Sequence, residues 1–227
     1  HRRPCAMRPP CPRNTPPTAS AAVLAELTSC ELLVASGEYQ VLAVDAADHP
    51  ETMEAIGRLR TTSFRAAGMG AASEVDLDDY DDRYVHLVLF DVRARVLAGA
   101  YRLGWCADLI AAQGAAGLYT ASLFALGPGF IDRLGSAVEV GRSCLHPHYH
   151  RRIKPLGLLW RGIGELMARR DGCHVLMGSV SIPAALSAES RSLILSTLRA
   201  HTFHDALAAR VEARTPPDLP AVAPAKD

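Results

Sequence analysis

The chain has 227 residues, 49% hydrophobic and 21% charged, with 24 basic and 24 acidic side chains. That is enough to bury one full core, and no apolar run reaches membrane-spanning length. A formal net charge of zero gives no global field for nucleic acid, so partners must be sought in local sites.

Residues 1–20, rich in proline and arginine, and residues 213–227, rich in proline and alanine, read as disordered tails around one domain spanning 21–212. Ala21 to Ala35 reads as a short helix, Tyr39 to Val44 as a strand, and Ala46 to Pro50 as a turn. Glu51 to Ala67 sets Met53, Ile56, Leu59 and Phe64 on one helical face and ends at Gly68. The acidic run Asp76 to Asp81 lacks the glycine and terminal glutamate of a calcium loop and reads as a turn or cap. Tyr84 to Asp91 and Val96 to Leu103 form a hairpin. Its His86-x4-Asp91 spacing is that of glycerolipid acyltransferases, but on a strand the two point to opposite faces, so His86 reads as a packed core or cleft residue.

Leu118 to Phe124 is expected as a strand, Gly129 to Leu134 as a short helix, and Ala137 to Leu145 as a strand with a carboxylate at its centre. Strict alternation separates Glu139 from Arg142, and Gly141 is where a bulge brings both toward one cleft. The next helix has Pro155 in its first turn and Leu156, Leu159, Trp160, Ile163, Leu166 and Met167 as its apolar stripe. Between strand and helix, His150, Arg151, Arg152 and Lys154 meet free backbone N–H groups at a helix N-terminus, a favourable place for a phosphate. Cys173 to Ile182 reads as a buried strand. Ser187 caps a helix through Arg199 with Leu193, Ile194 and Leu198 inward.

The run E-V-G-R-S-C-L-H-P from Glu139, then L-L-W-R-G and G-S-V-S-I, resembles the GNAT-superfamily acyltransferases that make ornithine lipids, also called hemolysin-like. R-L-R-T-T-S-F-R from Arg58, D-x-D-x-Y-D from Asp76 and G-A-Y-R-L from Gly99 are similar to the same family and, more distantly, to acyl-homoserine-lactone synthases. The resemblance implies an α/β (α+β) domain, a central, mixed and mostly antiparallel sheet flanked by helices. It implies transfer of a 3-hydroxy fatty acyl group from acyl carrier protein to the α-amine of ornithine or a similar amino acid, giving a lyso-aminolipid in lipid biosynthesis.

In that reading the strands 137–145 and 173–182 splay apart to admit the thioester. Glu139 and Arg142 are the catalytic candidates. A strand carboxylate among valines loses solvation, which suits a base that deprotonates an ammonium, and a guanidinium grips a carboxylate with two hydrogen bonds. Arg151, Arg152, Lys154, Gly157 and Arg161 are placed at the acyl donor, and Arg60, Asp78, Asp81 and Arg102 at the acceptor. The loop before the helix is poor in glycine and rich in cations, which favours a protein-bound phosphopantetheine over free coenzyme A and a basic patch steering an acidic carrier. No permanently bound cofactor and no metal is expected. A zinc reading of Cys144, His146, His148 and His150 crowds four ligands into seven residues around Pro147. The six cysteines (5, 11, 30, 106, 144, 173) form no C-x-x-C pair and read as reduced thiols in a cytoplasmic protein, with a peripheral contact at the inner membrane face as the membrane option. The alternatives are an acyl-homoserine-lactone synthase and a non-catalytic carrier-binding domain of a larger lipid acyltransferase.

Overall fold

In the computed structural model, which describes residues 15–69, 73–183, 185–216, 218 and 220, β-branched and aromatic alternation builds a six-stranded sheet. Helix α1 (Ala21–Leu27) is capped by the Ser20 hydroxyl, which accepts from the Val23 N–H. It is shorter than the sequence suggested. Thr28 and Ser29 turn their hydroxyls back on the Ala25 and Glu26 carbonyls and close the helix, and the chain turns into β1 (Glu31–Ser36). Gly37, at φ 63°, makes the turn into β2 (Tyr39–Val44). Helix α2 (Pro50–Ala66) follows, then β3 (Val85–Asp91) and β4 (Val96–Trp105).

Helix α3 (Cys106–Gln113) follows β4, and helix α4 (Thr120–Leu123) occupies most of the span 118–124 where a strand is expected; extension begins only at β5 (Phe124–Leu126). The cause is Glu139, whose carboxylate captures the Tyr119 and Thr120 N–H groups that a strand would need for pairing. Helix α5 (Phe130–Leu134) leads into β6 (Ala137–Leu145), helix α6 (Ile153–Ala168) and β7 (Val175–Met177). Helices α7 (Ala188–Thr202) and α8 (Asp205–Ala208) precede β8 (Val211–Ala213), which pairs with β5 in a separate two-stranded sheet.

The large sheet has the order β1-β2-β3-β4-β6-β7, antiparallel except for the parallel β6–β7 pair. This is the expected mixed, mostly antiparallel sheet with flanking helices. Helix α6 buries Leu158, Leu159, Ile163 and Leu166 against one face; α1 and α2 bury Val23, Leu27, Met53, Ile56 and Leu59 against the other. The α6 stripe is rotated from its expected position: Leu156 and Trp160 lie 42% and 48% exposed on the outer flank. Helix α7 departs further, since Leu193, Ile194 and Leu198 are exposed and Ser192 is its buried residue. Helix α7 is laid along the surface, so the amphipathic pattern did not decide which side meets protein.

Strand β7 is short, three residues of the ten expected, and its ladder with β6 ends at Glu139↔Met177. From Val140 to Leu145, β6 has no ladder partner on that edge among the described residues. Both expected tails lie mostly outside the described residues, as do Cys5 and Cys11. Where the ends are described they are tied down: the Ala19 N–H donates to the Arg95 carbonyl and the Arg214 N–H to the Leu123 carbonyl. Cys30, Cys106, Cys144 and Cys173 are free thiols.

Candidate active site

The bulge expected in β6 is present one residue later than Gly141. Gly141 faces Arg102 and Cys144 faces Ala100, so Arg142 and Ser143 together oppose Tyr101 alone. Arg142 takes the left-handed conformation, φ 48°, one of two non-glycine residues at positive φ among those described. A branched or long side chain is held there at a cost of order 1 kcal/mol, and here its surroundings fix it. The bulge turns the guanidinium toward the segment between α2 and β3.

That segment carries Asp76, Asp78 and Asp81, and three arginines from three elements converge on it. Arg60 of α2, fully buried, donates from Nη1 to both oxygens of Asp81 at 2.9 and 3.0 Å. Arg102 of β4, 1% exposed, donates to Asp78 and, at 3.0 Å, to Asp81 Oδ1. Arg142 of β6 donates from Nη2 to Asp78 Oδ2 at 2.7 Å and lies 4.0 Å from Asp76 Oδ1. Three charges of each sign therefore balance. Burial works against ionising Asp78, but hydrogen bonds from Arg142 and the charge of Arg102 outweigh it and hold its carboxyl below the usual range. The same balance, with Arg60 and Arg102, acts on Asp81. Arg142 keeps its charge through Asp78 and Asp76 despite burial.

His86 of β3 sits under Arg60, its Nδ1 3.1 Å from Arg60 Nη2 and its Nε2 2.9 Å from the Asp81 carbonyl. Only a neutral ring, accepting at Nδ1 and donating at Nε2, satisfies both neighbours. Burial and the Arg60 charge push its pKa down to about 4. Asp91, at the far end of β3, accepts instead from the Tyr149 hydroxyl, so the His86-x4-Asp91 spacing makes no pair.

Glu139 is 2% exposed and makes no ion pair with Arg142. Its Oε2 accepts from the Tyr84 hydroxyl and the Tyr119 N–H (2.9 Å), and its Oε1 from the Thr120 N–H (2.6 Å) and hydroxyl. Burial and the Glu139 charge drive the Tyr84 phenol upward, so it stays a donor. The two expected catalytic residues meet through Tyr119: Glu139 holds its backbone, and its ring lies 5.2 Å from the Arg142 guanidinium carbon. Tyr80, Tyr84 and Tyr119 also surround Arg102 at 5.6, 5.1 and 5.1 Å.

Four polar atoms in this cluster are buried without a partner: Arg60 Nε, Arg102 Nη2, Arg142 Nε and Asp76 Oδ2. Unpaired buried groups are costly and rare, and their concentration around Arg142 marks a place for a polar guest. The Arg142 and Asp76 side chains are 24% and 21% exposed, against 0% and 1% for Arg60 and Arg102, so the guest's approach is on the Arg142 side.

The structure thus brings together Arg60, Asp78, Asp81, Arg102 and Arg142, with Glu139 one residue removed. The expected donor residues lie apart, beyond the C-terminal end of β6. Arg152 donates to the Tyr39 hydroxyl and stacks on Tyr149, and Lys154 lies over Tyr39. Arg161 pairs with Glu165 one turn on, Arg151 is exposed, and the Cα of Gly157 faces open space. The α6 N-terminus has no side-chain cap, which leaves its first N–H groups available. Arg169 and Arg170 instead pair with Glu31 and Asp108. Asp76, Tyr80, Tyr84, Tyr119 and Thr120 were not among the expected site residues. The D-x-D spacing could have signalled Asp76; nothing local signals Tyr119 or Thr120. Cys144, 5% exposed, has its thiol pushed up to about 11 by burial, which suits a packed thiol rather than a nucleophile. No group of three or more metal-ligating side chains occurs among the described residues.

Residues 59–161, which hold the bulged strand and the charged cluster, match the family model described as Acetyltransferase (GNAT) domain. Two curated relatives are each named glycine N(alpha)-acyltransferase. The one from Bacteroides thetaiotaomicron is 29% identical over 202 residues, 83% of this chain and 60% of its own length. The one from Phocaeicola vulgatus is 29% identical over 173 residues, 71% of this chain and 53% of its own. The chain thus spans little more than half the length of these relatives. Among solved structures, glucosamine-6-phosphate N-acetyltransferase from Arabidopsis thaliana aligns with a TM-score of 0.36 and 11% identity over 64% of this chain and 84% of that one, too loose a likeness to argue from.

Proposed function

We propose that the chain transfers a fatty acyl group from the phosphopantetheine thioester of an acyl carrier protein to the α-amine of a small amino acid. The observation that carries this reading is the cluster of unpartnered atoms at Arg142: a guanidinium Nε that seeks an anion stands beside a carboxylate oxygen, Asp76 Oδ2, that seeks a cation. A zwitterionic α-amino acid supplies one of each, and because the cluster is charge-balanced, a guest of zero net charge leaves it balanced. The printed names of the two relatives favour glycine as acceptor, and the motif resemblance favours ornithine; both present the same α-amine and α-carboxylate.

In the reaction the ammonium first gives one proton to solvent, the freed amine attacks the thioester carbon, and as the C–S bond breaks the nitrogen loses its second proton, which ends on the departing thiolate. Arg142 holds the acceptor carboxylate and Asp76 the ammonium. Backbone N–H groups at the bulge face the developing oxyanion. The uncapped α6 N-terminus, with Arg151, Arg152 and Lys154, receives the phosphate of the carrier arm. Glu139 takes the amine's proton only by exchanging one of its four donors for the incoming nitrogen; Asp76 has an oxygen already free.

The test is mass spectrometry of products from the purified chain with 3-hydroxyacyl-loaded carrier protein and either glycine or ornithine. An N-acyl amino acid supports the reading, and the better acceptor fixes the side chain. Loss of product in Asp76→Asn with retention in Glu139→Gln places the ammonium at Asp76. No acyl transfer to any α-amino acid, with carrier protein or coenzyme A as donor, overturns it.

A further inference from the structure

A second cavity lies away from the charged cluster, on the α1–α2 side of the sheet. It has a volume of about 300 Å3, at the lower end of ligand-sized pockets. Its floor is apolar: Val23 of α1, Ala55 and Leu59 of α2, and Leu97 of β4. Residues 17–20 form one wall, anchored by the Ala19 N–H on Arg95. Ala55, Arg58 and Thr62, at three- and four-residue spacing, give this cavity one flank of α2, whereas Gly57 and Arg60, which serve the charged cluster, lie on the opposite flank. The two sites are therefore separated by the body of a helix.

One buried polar group lines the cavity and has no task in the reaction above. His146, 3% exposed, follows directly on β6. Its Nδ1 accepts from the His148 N–H at 3.3 Å. A backbone N–H can only donate, so Nδ1 is the bare nitrogen and Nε2 carries the proton. Burial, with His148 and His150 nearby, lowers the His146 pKa and keeps the ring neutral. Nε2 has no hydrogen-bond partner among the described residues and is not one of the buried unpaired atoms, so this donor is open to solvent and free to meet a ligand. The rim carries Glu51 and Glu54 against the single cation Arg58, itself paired with Glu54 at 2.6 Å. An anionic head at this rim meets excess negative charge.

We propose that this cavity is a binding site, separate from the acyl-transfer centre, for an uncharged ligand with an aliphatic body and a hydrogen-bond acceptor that meets His146 Nε2. Taking about 30 Å3 for a group the size of a water molecule, the cavity holds roughly ten such groups, which sets the body at about ten carbons.

The probe is decanamide, titrated calorimetrically into the intact chain, with decanoate and tetradecanamide alongside. Decanamide is expected to bind saturably, decanoate at least tenfold more weakly because of the Glu51 and Glu54 rim, and tetradecanamide more weakly because of length. Ala55→Phe fills the cavity and is expected to abolish binding; Ala55→Leu, a milder filling, keeps the test valid if the larger ring prevents folding. His146→Phe keeps an aromatic ring, slightly larger than imidazole, removes the donor and is expected to weaken decanamide about fivefold to tenfold. Absence of saturable binding to the wild-type chain overturns the proposal, as does binding that neither Ala55 variant changes. None of these readouts requires acyl transfer, so failure here and failure of the proposed function remain distinct.

Discussion

Replacing Glu139 by glutamine tests whether the carboxylate holds the Tyr119–Thr120 turn. The two hydroxyls around it, from Tyr84 and Thr120, can rotate to suit an amide, but the two backbone N–H groups cannot. One reaches each carboxylate oxygen, Tyr119 at Oε2 and Thr120 at Oε1. Whichever way the glutamine amide is turned, its NH2 faces one of them, donor against donor. The orphaned N–H costs about 1–3 kcal/mol, and the remaining bonds lose their charge assistance at roughly 1 kcal/mol or more in total. The sum is about 2–4 kcal/mol, a large share of the 5–15 kcal/mol typical of a folded domain. At about 2–4 °C per kcal/mol for a chain of this size, Glu139→Gln is expected to melt roughly 4–16 °C lower. Thermal and urea unfolding of the whole chain measure it. A Glu139→Gln variant within 1 kcal/mol of wild type, with transfer abolished, would refute the anchoring argument and return Glu139 to the role of base alone.

The buried neutral His86 makes stability fall with acid in a defined window. Its folded pKa of about 4 lies below the ordinary value of 6.5, so the unfolded chain binds its proton first, and stability full above pH 6.5 is lost as pH falls toward 4. At about 1.36 kcal/mol per unit the loss is at most ~3.5 kcal/mol. His146 adds in the same direction, and Asp78 and Asp81 act only below the unfolded carboxylate value of about 4, so His86→Gln should flatten the slope between pH 4 and 6.5 in urea melts. Asp81→Asn leaves the fully buried guanidinium of Arg60 without a carboxylate and Arg102 with Asp78 alone, and should cost about 3–5 kcal/mol, read as loss of soluble, cooperatively unfolding protein. Arg142→Gly relieves the positive φ while removing the guanidinium; stability is expected to hold within about 1 kcal/mol while transfer falls at least a hundredfold in steady-state kinetics with the acceptor varied.

Much of the architecture was legible because it depends on local periodicity. The β3–β4 hairpin, α2 and α6 declare themselves through spacing that packing then confirms. The charged cluster was legible in part: Arg60, Asp78, Asp81, Arg102 and Arg142 carried a motif, and they meet. What the sequence concealed depends on distant groups. Residues 118–124 read as a strand because their composition is that of one, until a carboxylate twenty residues away takes their N–H groups. Leu193, Ile194 and Leu198 read as inward because amphipathicity says only that one side differs from another. Asp76 was passed over because a third carboxylate in an acidic run carries no local sign that one of its oxygens is left unpaired.

The extra residue in β6 also changes the parity of the strand. Glu139 and Cys144 are five apart, an odd number, yet both face the α2 side, while Val138, Val140 and Leu145 pack toward α6. Removing one residue between Gly141 and Cys144 would leave both halves of β6 in phase with β4 and both cores filled by the same side chains. Only the aim of Arg142 would be lost. A deletion at this point is therefore expected to keep the fold while turning the Arg142 guanidinium away from Asp76 and Asp78.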